Sequence, residues 1–239
     1  MTTLIISDLH LGARNSRTDL LAPFLRAHFD RLILNGDTID SLDFRRFRAR
    51  DWRIVDLLRD IARRRELVLV RGNHDGQVGP DGGCGARAVL GDLLGTPMIE
   101  ECEVETDAGR LLVLHGDQFD QTLNLTWLGD VADWSYRQIQ GLSKPAARWL
   151  KGRVKHLGGV VASVSRGATR RAMQRGCVGV ITGHTHYPDD ARLNGVRYLN
   201  SGSWVDWPCS AIVIENGQAR LRHWETKLMT VRRVALAMN

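Results

Sequence analysis

The sequence predicts an α/β fold on a largely parallel sheet, and three observations carry that prediction. Short aliphatic runs recur through the first third of the chain, each closed by turn residues. Segments with helical apolar spacing separate them. The resulting strand–helix–strand–helix–strand order implies right-handed crossovers between parallel strands. Composition agrees: of 239 residues, 43% are apolar and 25% charged, as in an ordinary globular protein. That excludes collagen-like, disordered and disulfide-framework chains. The expected organisation is one domain over residues 1–239, with a helical basic insert or cap over 120–176.

Leu4-Ile5-Ile6 reads as a buried strand ending in Ser7-Asp8. From Thr18, TDLLAPFLRAHF has helical spacing and an N-cap candidate. Leu32-Ile33-Leu34 is the second strand. Asp51 to Arg64 is a helix with Ile54, Val55, Leu57, Leu58 and Ile61 on its inner face. Leu67 to Val70 is the third strand. Val104–Thr106 and Leu111–Leu114 read as a hairpin around Asp107-Ala108-Gly109. Asp120 to Arg175 is mostly helical. Short strands return at Val178–Thr182, Val196–Leu199, Ala211–Ile214 and Ala219–His223, with Glu215-Asn216-Gly217 turning the last pair. Gly82-Gly83-Cys84-Gly85 reads as a loop.

Each of five strands ends in a similar polar cluster. These are Ser7-Asp8-Leu9-His10, Gly36-Asp37-Thr38-Ile39-Asp40, Gly72-Asn73-His74-Asp75, His115-Gly116-Asp117 and Gly183-His184-Thr185-His186. Ligands of open α/β sheets sit beyond the carboxyl ends of the strands, so these clusters are expected to gather in one place. Asp oxygen and neutral His nitrogen suit manganese, iron or zinc. Asp8/His10 and His184/His186 are each two apart, so each pair can face one site. Asn73 offers a neutral oxygen where a further carboxylate would repel. Asp8, His10, Asp37, Asn73, His115, His184 and His186 are more donors than one ion needs. Two ions about 3.5–4 Å apart, sharing Asp37 and activating a hydroxide, answer that excess.

As a set, these motifs over residues 8–186 resemble the calcineurin-like metallophosphoesterase superfamily. The resemblance implies a four-layer α/β/β/α sandwich of two mixed sheets. It implies that Asp8, His10, Asp37 and His186 hold one metal, and that Asp37, Asn73, His115 and His184 hold the other. His74, with Asn73 a candidate substrate contact, would stabilise the transition state or protonate the leaving oxygen, oriented by a carboxylate such as Asp40. SDLHLG, HGDQFD (115–120) and NGVRYLNSGSWVDW (194–207) further resemble the UDP-2,3-diacylglucosamine pyrophosphatase branch. That branch carries Gly-Asn-Arg-Asp where this chain has Gly-Asn-His-Asp, and a cysteine with paired aspartates where this chain has Gln118-Phe119-Asp120-Gln121. The implied activity is hydrolysis of a phosphodiester or pyrophosphate bond by metal-bound hydroxide, on a nucleotide-linked lipid. A metallophosphoesterase of nucleic acid or cyclic nucleotides is the alternative.

Charge bears on partners. Lys and Arg number 33 against 27 acids, a net +6 that favours phosphorylated substrates, nucleic acid or a membrane surface. Trp134 to Pro188 holds ten Lys/Arg and no acid. It reads as a cationic cap with an apolar groove, suited to an acylated phosphate or an anionic bilayer edge, or as an amphipathic hairpin with a solvated basic face. Arg45, Arg46, Arg48, Arg50 and Arg53 form a second basic cluster, at the site mouth or on a solvated helix face. Trp204 and Trp207 read as packing or as the floor of a substrate pocket. Ser201 and Ser203 lack a triad partner. With neither a basic leader nor about 18 consecutive apolar residues, a cytoplasmic protein peripheral to the inner membrane face is expected. Cys84, Cys102, Cys177 and Cys209 read as reduced thiols.

Overall fold

Aliphatic runs bounded by turn residues become the core strands of the first sheet. β1 (Thr2–Ile6), β2 (Arg31–Asn35) and β3 (Glu66–Val70) carry Leu, Ile and Val without polar alternation. Parallel strands covered on both faces read this way. In a computed structural model, which describes residues 1–76, 85–120 and 159–224, Leu4 pairs with Leu32 and Leu32 with Leu67 in parallel register. β4 (Met98–Ile99) extends the sheet beyond β3. On the other side, β10 (Cys209–Glu215) runs antiparallel to β1 and continues into β11 (Gln218–Trp224). The order is β11-β10-β1-β2-β3-β4.

A second, five-stranded sheet is built in spatial order from Glu101–Thr106, Gly109–Leu114, Gly179–Thr182, Val196–Asn200 and Asp189–Leu193. The predicted hairpin is β5 (Glu101–Thr106) and β6 (Gly109–Leu114). β7 (Gly179–Thr182) lies parallel to β6 and to β9 (Val196–Asn200). β8 (Asp189–Leu193) is a polar edge strand without an aliphatic run. Its pairing with β9 is made by Asn194-Gly195, at φ +51° and +82°, the backbone that tight hairpins require.

Alternation within the strands sorts the core into layers. Ile5, Ile33 and Val70 face Val113, Ile181 and Leu199 across the space between the sheets. Leu4, Ile6, Leu32, Leu34 and Leu69 turn the other way, onto α1 (Thr18–Leu25) and α2 (Ala49–Arg64), where Leu21, Phe24, Ile54 and Leu58 meet them. Leu112, Leu114, Val180 and Tyr198 are covered by Ala168 and Ala172 of α4 (Val160–Gln174). The result is the four-layer α/β/β/α sandwich of two mixed sheets.

α3 (Gly85–Leu94) begins at the last residue of the expected glycine loop, whose other members lie outside the described residues. So do residues 121–158 of the expected insert, which hold much of its acid-free basic stretch. The described part of that insert, α4, forms the outer helical layer. It buries Val164, Ala168 and Ala172 one turn apart.

Candidate metal centre

The five polar clusters stand where the strands end. Asp8 N donates to Gly36 O at 3.0 Å, His10 N to Asp37 O at 3.0 Å and Gly183 N to His115 O at 2.9 Å, so neighbouring turns are laced together. Asp8, His10, Asp37, His184 and His186 all have positive φ, between 44° and 63°. Left-handed backbone costs about 1 kcal/mol or more for each residue with a Cβ. Concentrating it at one rim aims side chains inward instead of along the pleat.

Three groups of donor atoms result, the first two sharing His10: Asp8 with His10 and His186, His10 with Asp40 and His74, and Asp37 with His115 and His184. His186 Nε2 lies 3.0 Å from Asp8 Oδ1 and 3.2 Å from His10 Nε2. Asp37 Oδ2 lies 3.4 Å from His115 Nε2 and 3.7 Å from His10 Nε2. It therefore stands between the first group and the third. Asn73 follows β3 at the same rim. Donors around a common ion at about 2.1 Å stand about 3.0–3.5 Å from one another, as His186 does from Asp8 and His10, and His115 from Asp37.

Each imidazole has a further partner that fixes its ring. His115 Nδ1 is 2.8 Å from the main-chain oxygen of Asn35, and His10 Nδ1 is 3.4 Å from Asp40 Oδ1. His186 Nδ1 is 2.9 Å from Asp206 Oδ2, and His184 Nε2 is 2.9 Å from Asp120 Oδ2. Imidazoles that bind metals are oriented in this manner. Asp8 Oδ1, Asn73 Oδ1 and His115 Nε2 are buried without an aligned hydrogen bond. Buried polar atoms are rarely left so, and Asp8 Oδ1 and His115 Nε2 stand against the gathered donors, next to His186 and Asp37 respectively. The residues present fit divalent cations.

Electrostatics point the same way. Burial opposes the charge on Asp8, yet His186, His10 and His115 outweigh it and hold its carboxyl well below the usual range. Asp37, buried beside His115 and His10, is lowered likewise. Burial opposes protonation of His10 and His115, but the carboxylates Asp40, Asp8 and Asp37 raise His10, and Asp37 and Asp8 raise His115, each to about 10. The pocket is an anionic cage that demands positive charge.

His74 N donates to Asp37 Oδ1 at 2.8 Å, and its ring is exposed. Asp40 reaches His74 through its main-chain carbonyl, 2.9 Å from Nδ1, whereas the Asp40 carboxylate faces His10 and pairs with Arg46. Arg46 thus brings one member of the second basic cluster to the site. Arg45 stays on the surface with Asp43, and Arg50 donates to Arg14 O. Trp204 is fully buried against Phe24 and is packing. Trp207 is partly exposed under Arg17. Ser201 Oγ bonds Ser7 Oγ at 2.7 Å inside the fold.

Four supporting residues escaped sequence reasoning. Asp75 accepts from Ile39 N and Gly72 N, both at 3.1 Å, and burial with the nearby Asp37 charge pushes its carboxyl up to about 7. Asn200 Nδ2 donates to Gly183 O at 2.7 Å and Thr185 Oγ1 at 3.1 Å, clamping the turn that carries His184 and His186. Asp120 and Asp206 are the others. The Gly-Asn-x-Asp spacing was a visible signal for Asp75, while Asp206 and Asn200 sit in a segment whose relation to the site is purely spatial.

Comparison with known proteins agrees with this geometry. The family model described as calcineurin-like phosphoesterase matches residues 1–188. A UDP-2,3-diacylglucosamine hydrolase of Bordetella pertussis is 28% identical over 229 residues, covering 86% of this chain and 85% of that protein. Its Bordetella parapertussis counterpart is 27% identical over the same shares. Among solved structures, the phosphoesterase Yfce from E. coli shares the fold with a TM-score of 0.50 at 18% identity, over 93% of this chain and 98% of that one. With its motifs at five strand ends and a family match over most of its length, the chain belongs to the calcineurin-like phosphoesterase family of metal-dependent phosphoester hydrolases.

Proposed function

We propose that the chain hydrolyses a phosphodiester or pyrophosphate bond with two divalent ions, on a nucleotide-linked lipid resembling UDP-2,3-diacylglucosamine. The observation that carries the reading is the convergence of candidate donors from five strand ends around buried atoms with no aligned partner. Asp8, His10, Asp37 and His186 would hold one ion, and Asp37, Asn73, His115 and His184 the other. Asp and His donors with one Asn suit manganese first, then iron or zinc. Bound there, such ions supply Lewis-acid polarisation of the phosphoryl oxygens and lower the pKa of water.

The chain's own residues do the rest. Asp37 faces both donor groups and also anchors the His74 main chain. Donation from His74 Nδ1 to the Asp40 carbonyl leaves Nε2 to carry a proton to the leaving oxygen. The exposure of His74 suits contact with substrate, and Asn73 beside it is a second candidate contact. Arg46 contributes a cation at the rim that favours a phosphorylated ligand. The lipid-linked substrate is supported by the likeness to the Bordetella hydrolases over most of both chains. It is also supported by the acid-free stretch Trp134–Pro188, suited to the edge of an anionic membrane on its cytoplasmic face. Among the described residues no helix is long and apolar enough to cross a membrane.

A manganese-replete activity screen tests this reading. UDP-diacylglucosamine should be turned over faster than simple nucleotide pyrophosphates, cyclic nucleotides or short oligonucleotides, and chelation should abolish every activity. Preference for oligonucleotides with steep salt dependence would favour the nucleic-acid alternative. Equal activity before and after chelation would overturn the metal reading.

A further inference from the structure

Between β9 and β10 the chain passes through Ser201-Gly202-Ser203-Trp204-Val205-Asp206-Trp207-Pro208. The family match stops at residue 188, so this loop lies outside it. The loop is nonetheless fastened to the centre. Trp204 N donates to Asp8 O at 3.0 Å, and Arg17 N donates to Trp204 O at 2.8 Å. The buried Trp204 ring packs 4.8 Å from the Phe24 ring. Asp206 N donates to Ser203 Oγ at 3.2 Å, which fixes where the Asp206 side chain begins. Asp206 Oδ2 then stands 2.9 Å from His186 Nδ1. Across the same ring, His186 Nε2 is 3.0 Å from Asp8 Oδ1 and 3.2 Å from His10 Nε2.

We propose that Asp206 is a positioning residue for His186, setting the tautomer and ring orientation with which His186 meets the ion shared with Asp8 and His10. The inference rests on the reading of His186 as a ligand. A proton on Nδ1, donated to the carboxylate, leaves the Nε2 lone pair directed at the centre. The same bond holds the ring against rotation about its Cβ–Cγ bond and makes the imidazole a stronger donor. His115 obtains this service from a main-chain carbonyl in β2, which no side-chain substitution removes. At His186 the Nδ1 contact is with a side-chain carboxylate on a loop, which a substitution removes. Its removal therefore acts on one ion of the two.

The test is manganese binding by the full-length protein, titrated calorimetrically for wild type, Asp206→Ala and Asp206→Asn. Asp206→Ala weakens one manganese equivalent by about 10–100-fold and leaves the other within a few-fold. Asp206→Asn, which keeps an accepting oxygen, loses less than Asp206→Ala. In 15N-histidine spectra of the zinc-loaded protein, the Nδ1-protonated form of His186 is single in wild type and mixed in Asp206→Ala. Two wild-type isotherms in both variants overturn the inference. Equal losses in both variants with a lowered melting temperature also overturn it, because they mark a structural loop residue. A wild-type protein that binds fewer than two equivalents overturns the two-ion reading itself, and this inference with it.

Discussion

Asp37 joins the donor group of His10 to that of His115. One oxygen accepts from the His74 main chain and the other faces both His115 and His10. Asp37→Ala should therefore lose both ions and all turnover together, measured by metal content after gel filtration. Retention of two ions would refute the shared role. His74 differs, because its ring is exposed, with Nδ1 on the Asp40 carbonyl and its face edge-on to the His10 ring. His74→Ala should leave metal content intact and lower kcat by about 10²–10⁴-fold. Unchanged turnover would remove it from the chemistry. Glycine matters at two points here. At Gly36, with φ +84°, a Cβ would collide with the His115 ring, and at Gly72 with the Asp37 main chain and carboxylate. Gly72→Ala should thus displace Asp37 and lower manganese affinity; a wild-type isotherm would contradict it.

The strands place these residues, and the loops between them hold the aim. Asn200 closes β9, and its amide nitrogen lies within hydrogen-bond distance of Thr182 Oγ1, Gly183 O and Thr185 Oγ1, at 3.0, 2.7 and 3.1 Å. All of it is buried. Asn200→Ala should cost about 2–3 kcal/mol, since it leaves buried acceptors unpaired. It should also loosen the His184–His186 turn. A denaturant midpoint equal to wild type would show that the clamp is dispensable. Aliphatic strands such as β1, β2 and β7 were legible because both their faces are covered. β8 was not, because an edge strand with one solvated face needs no aliphatic run, and its only signal was the Asn194-Gly195 turn. β4 is two residues long and forms only because β3 offers it an edge.

Stacking two sheets between helical layers buries Cys177 and Cys209 and half-buries Cys102. Cys102, Cys177 and Cys209 are free. Burial pushes Cys102 up to about 11 and Cys209 up to about 12. Only the thiolate is nucleophilic, so both should resist iodoacetamide at pH 8 in the native protein and react once it is denatured, read by peptide mass spectrometry. Prompt native labelling of Cys209 would contradict this. These thiols ionise more easily in the unfolded chain, at the ordinary value of 9.0. Their contribution to stability is complete below about pH 9 and is lost as pH rises through 11 and 12. The chemical denaturation midpoint should decline over that interval.

Local pattern was enough to read the α/β class and the polar motifs at strand ends, and to nominate nine candidate site residues, because period and turn chemistry are short-range properties. Asp75 belongs to a motif whose first members were recognised, yet its service to Ile39 and Gly72 is invisible without the fold. Asp206 lies 20 residues beyond His186, and Asp120 64 residues before His184. Nothing in spacing pairs them, since each contact exists only after two sheets have stacked and brought distant loops to one rim. Left-handed backbone at Asp8, His10, Asp37, His184 and His186 is of the same kind. No sequence pattern assigned it to these residues, and the surrounding packing imposes it at the point where cations are to be gathered.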